Sequence, residues 1–212
     1  MSPGLTMTRR IAQLAVGLFL YGIGIALMVR AQIGIAPWDV LTQGIQLHTG
    51  IPFGVIVIAT SVVVLLLWIP LRQKPGIGTI ANAVLVGVWA DVGLAWFAPA
   101  PDLFWSIVML AAGLVTIGLA TGMYIGARFG PGPRDGLMTG LHRVTGWPIW
   151  VVRTGIEVVV LIVGWLLGGN VGVGTLAFAL LIGPLAGFFM PLLLVPAATP
   201  RASADTATGA VQ

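Results

Sequence analysis

Hydrophobic residues fill six long runs, 11–29, 53–71, 77–97, 103–127, 147–167 and 173–195, that contain glycine and small residues but almost no charge. A bilayer core of roughly 30 Å is crossed by about 20 helical residues, so each run predicts a membrane span. Two shorter segments, 37–49 and 133–145, separate the first run from the second and the fourth from the fifth. Each makes a helix of only about 20 Å, too short to cross. Both open on a proline followed two residues later by aspartate, the pattern of a helix N-terminus. Both also carry a polar stripe at helical spacing, Asp39, Gln43 and Gln46 in one and Asp135, Thr139 and His142 in the other.

The short segments match because the chain is a duplication. A shift of 96 positions superposes Gly34-Ile35-Ala36-Pro37-Trp38-Asp39 on Gly130-Pro131-Gly132-Pro133-Arg134-Asp135, and Gly76-Ile77-Gly78-Thr79 on Gly172-Val173-Gly174-Thr175. Roughly a third of the pairs aligned from Gly17 and Gly113 onward are identical, without a gap. The first run follows Arg9 and Arg10 as a signal peptide would, but its counterpart lies in mid-chain, so it is expected to stay in the fold. The chain then divides into repeat 1 (9–98), repeat 2 (103–195) and an Ala/Thr/Ser-rich tail (196–212) expected to be disordered and cytoplasmic. Duplicated membrane halves are a common basis of transporters, because they form an interface near the bilayer midplane.

Span number decides the symmetry. If the short helices do not cross, each repeat has three spans and the two copies are inverted in the membrane; if they cross, each has four and the copies are parallel. Cytoplasmic loops are enriched in Lys and Arg. With six spans and a cytoplasmic N-terminus, Arg9, Arg10, Arg72, Lys74, Arg128, Arg134, Arg143 and Arg201 fall inside and Arg30 outside. Eight spans would move Arg72 and Lys74 outside and separate Arg128 from Arg143. The expected fold is therefore all-α and integral to the membrane, with six transmembrane helices as two inverted three-helix repeats, each with one short non-spanning helix.

Composition agrees. Charged residues make up 8% of the chain against 58% hydrophobic, too few to clothe a soluble domain. There is no cysteine, which excludes disulfides and thiolate metal sites. His48 and His142 are not repeat equivalents and have no second ligand at metal spacing, so neither a metal nor a cofactor is expected. The net charge of +4 suits cytoplasmic loops facing anionic lipid and calls for no nucleic acid. Trp38, Trp89, Trp96, Trp105, Trp147, Trp150 and Tyr21 read as interface anchors.

Ionisable groups inside a membrane are costly and are candidate functional residues. Asp39 and Asp135, at duplicated helix starts, read in two ways: as caps that accept a backbone N–H at the positive end of the helix dipole, or as carboxylates flanking a shared cavity. In the second reading Pro37 and Pro133 open the helices, Gly34, Gly130 and Gly132 let backbone approach a ligand, and Arg134 supplies positive charge. Arg153 and Glu157, four apart on one face, form either a neutralising pair or a substrate or ion contact that gates or couples; Val57 and Ser61 fill those slots in repeat 1. Asp91 reads as structural or interfacial, and the Gly-x-Gly-Thr motifs as turns followed by close helix packing.

The runs 34–39, 130–138, 168–175 and the Gly183-Pro184 step resemble the YczE-like family of bacterial multipass membrane proteins, relatives of the YitT group. The resemblance implies a bacterial plasma-membrane location, but no particular reaction or ligand set. Two functions fit the residues: a small-solute transporter or permease with a midplane site between inverted repeats, or a non-transporting scaffold or accessory partner of another enzyme or secretion system. No catalytic constellation occurs within any single segment, so the chain is expected not to be an enzyme. Its expected partners are the lipid bilayer and an unknown small solute, and because six spans enclose little, a homodimer fits as well.

Overall fold

Prolines and glycines set the helix boundaries in the computed structural model, which describes residues 3–195. The order is α1 (Pro3–Ala31), α2 (Pro37–Thr49), α3 (Phe53–Leu67), α4 (Ile77–Trp96), α5 (Leu103–Gly126), α6 (Pro133–Thr145), α7 (Ile149–Leu166) and α8 (Val173–Leu193). The two short helices end at Gly50 and Gly146 in the left-handed region, where each glycine N–H returns to the carbonyl four residues back. Pro52 and Pro148 then start α3 and α7. The expected tail, 196–212, lies outside the described residues.

The duplication reaches the backbone. Positive φ values recur 96 residues apart at Gln32 and Arg128 (61° and 57°), Gly34 and Gly130 (109° and 118°), and Gly50 and Gly146 (70° and 72°). Side-chain packing repeats as well. A Cβ on Gly22 would meet Trp89 Cβ at 2.5 Å, and one on the equivalent Gly118 would meet Leu185 Cβ at 2.7 Å, so α1 lies on α4 as α5 lies on α8. The two halves meet where α1 crosses α5: a Cβ on Gly24 would lie 3.1 Å from Gly113 O, and one on Gly113 would lie 2.9 Å from Gly24 O. Small residues permit this approach where lipid offers no hydrophobic drive.

A second junction is crossed. Gly78 N–H, at the start of α4, donates to Phe129 O of repeat 2 at 3.0 Å, and the equivalent Gly174 N–H, at the start of α8, donates to Ile33 O of repeat 1 at 2.8 Å. Thr79 and Thr175, both buried, accept from Gly76 N–H and Gly172 N–H at 3.1 and 3.3 Å. The Gly-x-Gly-Thr motifs are thus helix caps that also dock each repeat's last helix on the other repeat.

Five helices, α1, α4, α5, α7 and α8, are each long and apolar enough to cross a bilayer; a sixth crossing requires α2 and α3 together, as one span bent by 118°. The run 53–71 was expected to span alone, yet its helix stops at Leu67 after 15 residues, about 22 Å. Trp68 ends it. Its indole is buried against α6, where a Cβ on Gly136 would lie 1.9 Å from Trp68 Cζ2, and its Nε1–H donates to Pro133 O at 3.1 Å. The chain then turns through Arg72 at φ 51°.

Basic side chains gather at one end of the bundle. Arg10 donates to Ala127 O and Arg128 O, each at 2.8 Å, and Arg143 donates to Leu71 O. Arg30, at the far end of α1, donates to Leu94 O.

The crossed junction leaves no space for a methyl group. A Cβ on Gly76 would lie 2.2 Å from Phe129 O, and one on Gly172 would lie 2.5 Å from Ile33 O. Gly76→Ala and Gly172→Ala should each cost about 1–3 kcal/mol, read as a lowered melting temperature in detergent. Gly155→Ala, in a helix position with nothing within 4 Å, should be neutral or slightly stabilising.

Candidate functional site

The starts of α2 and α6 open on one cavity of about 320 Å³, which reaches across the junction of the repeats. Pro37 and Asp39 line it from repeat 1, and Gly132, Pro133, Arg134 and Asp135 from repeat 2. Equivalent positions face each other across it, Trp38 and Arg134 above all: the guanidinium carbon lies 5.0 Å from the Trp38 ring centroid. The walls of the cavity include Val57 and Ser61 of α3 and their equivalents Arg153 and Glu157 of α7.

Asp39 is 2% exposed, and its Oδ1 accepts no hydrogen bond among the described residues. Arg134 approaches that oxygen at 3.7 Å, an ion pair beyond hydrogen-bond reach. Trp38 Nε1 is likewise buried without an acceptor among the described residues. The other charges are satisfied. Asp135 accepts from the Tyr124 hydroxyl, and Arg153 Nε donates to Glu157 Oε1 at 3.0 Å. Tyr21 packs edge-on against Tyr124, with ring centroids 6.0 Å apart, and also lines the cavity.

Several expectations change here. The caps of α2 and α6 are Ala36 and Gly132, with no side-chain cap bond, so the capping reading of Asp39 and Asp135 fails. As the third residue of each helix, these carboxylates still lie in the positive field of its first turn. Gly34 and Gly130 are absent from the lining; they form the turns against Gly172 and Gly76, where their positive φ is needed. Trp38 and Tyr21 are not interface anchors, whereas Trp96, Trp147 and Trp150 are at least 60% exposed, as anchors require. Asp91 proves to be a tie between helices, accepting from Gly54 N–H at 2.7 Å. The ring nitrogens of His48 and His142 each meet a backbone carbonyl, and no group of three metal-type ligands occurs among the described residues.

Tyr124, Asn82 and Thr121 line the cavity without having been singled out. Each is a lone polar group in an apolar run, a weak signal until the partner helix is known. A second cavity, about 530 Å³, lies at the Arg30 end and is lined in part by Gln43, Gln46, Asp91 and Asn170. The polar stripe of α2 therefore runs from one cavity at Asp39 to the other at Gln46.

The pattern of duplicated helix starts has a family context. The family of unknown function DUF6198 matches residues 8–191, nearly the whole described chain. The chain belongs to that family. Relatives of this DUF6198 protein include an uncharacterized protein of Haemophilus influenzae, 36% identical over 87% of this chain and 85% of its own. The uncharacterized membrane protein YczE of Bacillus subtilis is 34% identical over 82% of each chain, and YyaS of the same organism is 28% identical over 84% and 90%. The resemblance read from the motifs therefore holds, and the protein is a multipass membrane protein with bacterial relatives. No solved structure shows a significant match.

Tyr124→Phe removes the donor to Asp135 inside a buried network. It should cost about 1–3 kcal/mol in thermal unfolding, with Tyr21→Phe, which touches Tyr124 through its ring, costing less.

Proposed function

We propose that this protein is a small-solute transporter of the bacterial plasma membrane, with both termini cytoplasmic, built from two inverted repeats around the cavity between α2 and α6. The observation that carries this reading is the convergence of two equivalent helix N-termini, with their carboxylates, on one cavity. Helix starts of this kind, buried in protein at membrane depth, present backbone dipoles to a solute. Inversion is supported by where the short helices lead: Gln46 of α2 lies at the Arg30 end, and Arg143 of α6 bonds to Leu71 at the end that gathers Arg10 and Arg128. Placing that basic end in the cytoplasm satisfies the positive-inside rule.

The two halves differ as a transporter caught on one side would. In repeat 1, α3 is sealed on α4: a Cβ on Gly54 would lie 2.0 Å from Gly87 O, and Asp91 holds the Gly54 N–H. In repeat 2, the equivalent Gly183 and Gly187 have nothing within 4 Å and line the cavity. The cavity is bounded there by Tyr124, Met190 and Asn82, toward the basic end. In the proposed cycle the seal and the opening exchange, exposing the cavity alternately.

Cysteine labelling tests both parts, since the chain has no native cysteine. In sealed vesicles, Gln46→Cys should react with an impermeant thiol reagent from outside, His142→Cys from inside, and Ser61→Cys, within the cavity, from both sides. Reaction of Gln46→Cys and His142→Cys from one side would sink the inverted arrangement. Reaction of Ser61→Cys from one side alone would sink alternation and favour the scaffold.

A further inference from the structure

We propose that the cavity receives a small zwitterion of the α-amino-acid kind, its carboxylate held by Arg134 and the Trp38 N–H and its ammonium by Asp39. The inference deepens the transport reading and rests on it for its biological meaning, though binding can be tested alone.

The first argument is charge. Three carboxylates, Asp39, Asp135 and Glu157, face two guanidiniums, Arg134 and Arg153. The missing positive charge is supplied by the starts of α2 and α6, each equivalent to about half a charge. The cavity is thus balanced as it stands. A ligand with net charge would leave that charge uncompensated in a medium of low dielectric, at high cost. A zwitterion adds a dipole and no net charge.

The second argument is unmet hydrogen bonding. Glu157 is engaged by Arg153 and Asp135 by Tyr124. Left over are a buried acceptor, Asp39 Oδ1, and a buried donor, Trp38 Nε1, on adjacent residues at the start of α2. Buried polar groups without partners are rare in native proteins and call for an explanation. Arg134 stands over the Trp38 ring and 3.7 Å from Asp39, close enough to attract it and too far to bond it. A carboxylate entering beside Arg134 can take hydrogen bonds from both the guanidinium and the indole. An ammonium on the neighbouring carbon then meets Asp39. The short separation of Asp39 from Arg134 suits charges on adjacent carbons rather than at the ends of a chain.

The third argument is space. Ile117, Met138, Phe178 and Ile182 form an apolar wall beside these groups, where an aliphatic side chain would sit. The volume lies near the lower bound of small-molecule sites, about 300 Å³, and so limits the ligand to a small one.

The test uses the purified full chain and three probes that differ in charge alone: leucine, 3-methylbutylamine, which lacks the carboxylate, and 4-methylpentanoate, which lacks the ammonium. Leucine should bind in calorimetric titration and raise the melting temperature, with each single-charge analogue at least tenfold weaker. Asp39→Asn and Arg134→Gln should each weaken leucine at least tenfold, while the three-probe comparison on wild type stands even if a variant fails to fold. Amine binding as tight as leucine would make this a cation site and overturn the proposal, and equal binding of the acid would overturn it in favour of an anion site. Failure of leucine and of every other standard amino acid to bind would also overturn it. Bound leucine that is not carried into proteoliposomes, with Ser61→Cys reactive from one side, would leave the site standing and remove transport. Alternating Ser61→Cys without zwitterion binding would do the reverse.

Discussion

The crossed docking of the repeats, Gly78 N–H on Phe129 O and Gly174 N–H on Ile33 O, is the constraint on which the rest of the structure depends. In lipid, backbone groups at a chain break have no water to turn to, so each break between helices must be closed by protein. The breaks after α1 and α5 are closed by the N-terminus of the other repeat's last helix. Neither repeat can make this contact alone. Because the loops held in this way lead directly into α2 and α6, the junction also fixes where the two short helices begin, and so where Asp39 and Asp135 lie.

The fold was largely legible in the sequence, because its main signals are local. The bounds of α2 and α6 follow from proline at the first position and Thr-Gly at the end, and both helices run as expected. The spans follow from apolar run length, with one failure. In the run 53–71 Pro70 is a local stop signal that apolar run length passes over; what the run does not show is the tertiary event beside it, in which the Trp68 indole fills the space over Gly136. The same limit applies to the site. Asp39 and Asp135 were marked by duplication and Arg134 by its place between Pro133 and Asp135, but the role of Tyr124 depends on α5 lying beside α6, and Tyr21 near the middle of α1 looked like any membrane aromatic. Gly34 and Gly130 misled for the opposite reason: the motif that makes them conspicuous serves the junction and not the cavity.

Divergence between the copies explains the asymmetry without invoking any ligand. Gly164 of α7 lies directly against α2, where a Cβ would meet Leu41 N at 2.4 Å, and its equivalent is Trp68, just past the end of α3. A glycine draws α7 onto α2; a tryptophan props α3 away from the backbone of α6. At the other end of the same helices the exchange is reversed, with Gly54 sealing α3 on α4 and Trp150 in the equivalent place on α7. Each of these helices therefore packs closely through a glycine at one end, and the ends differ: Gly54 sets α3 on α4, and Gly164 sets α7 on α2. In the proposed transport reading this arrangement corresponds to one closed side and one open side. The same contrast holds against the last helix of each repeat: Gly183 and Gly187 of α8 face open space, whereas α3 is held to α4 by the Asp91 bond to Gly54. In the proposed cycle, opening of the α3–α4 seal would break this charge-assisted hydrogen bond, a class worth roughly 1.5–3 kcal/mol, as well as the Gly54–Gly87 packing. In that reading a solute drives the exchange only through the difference in its affinity for the two states.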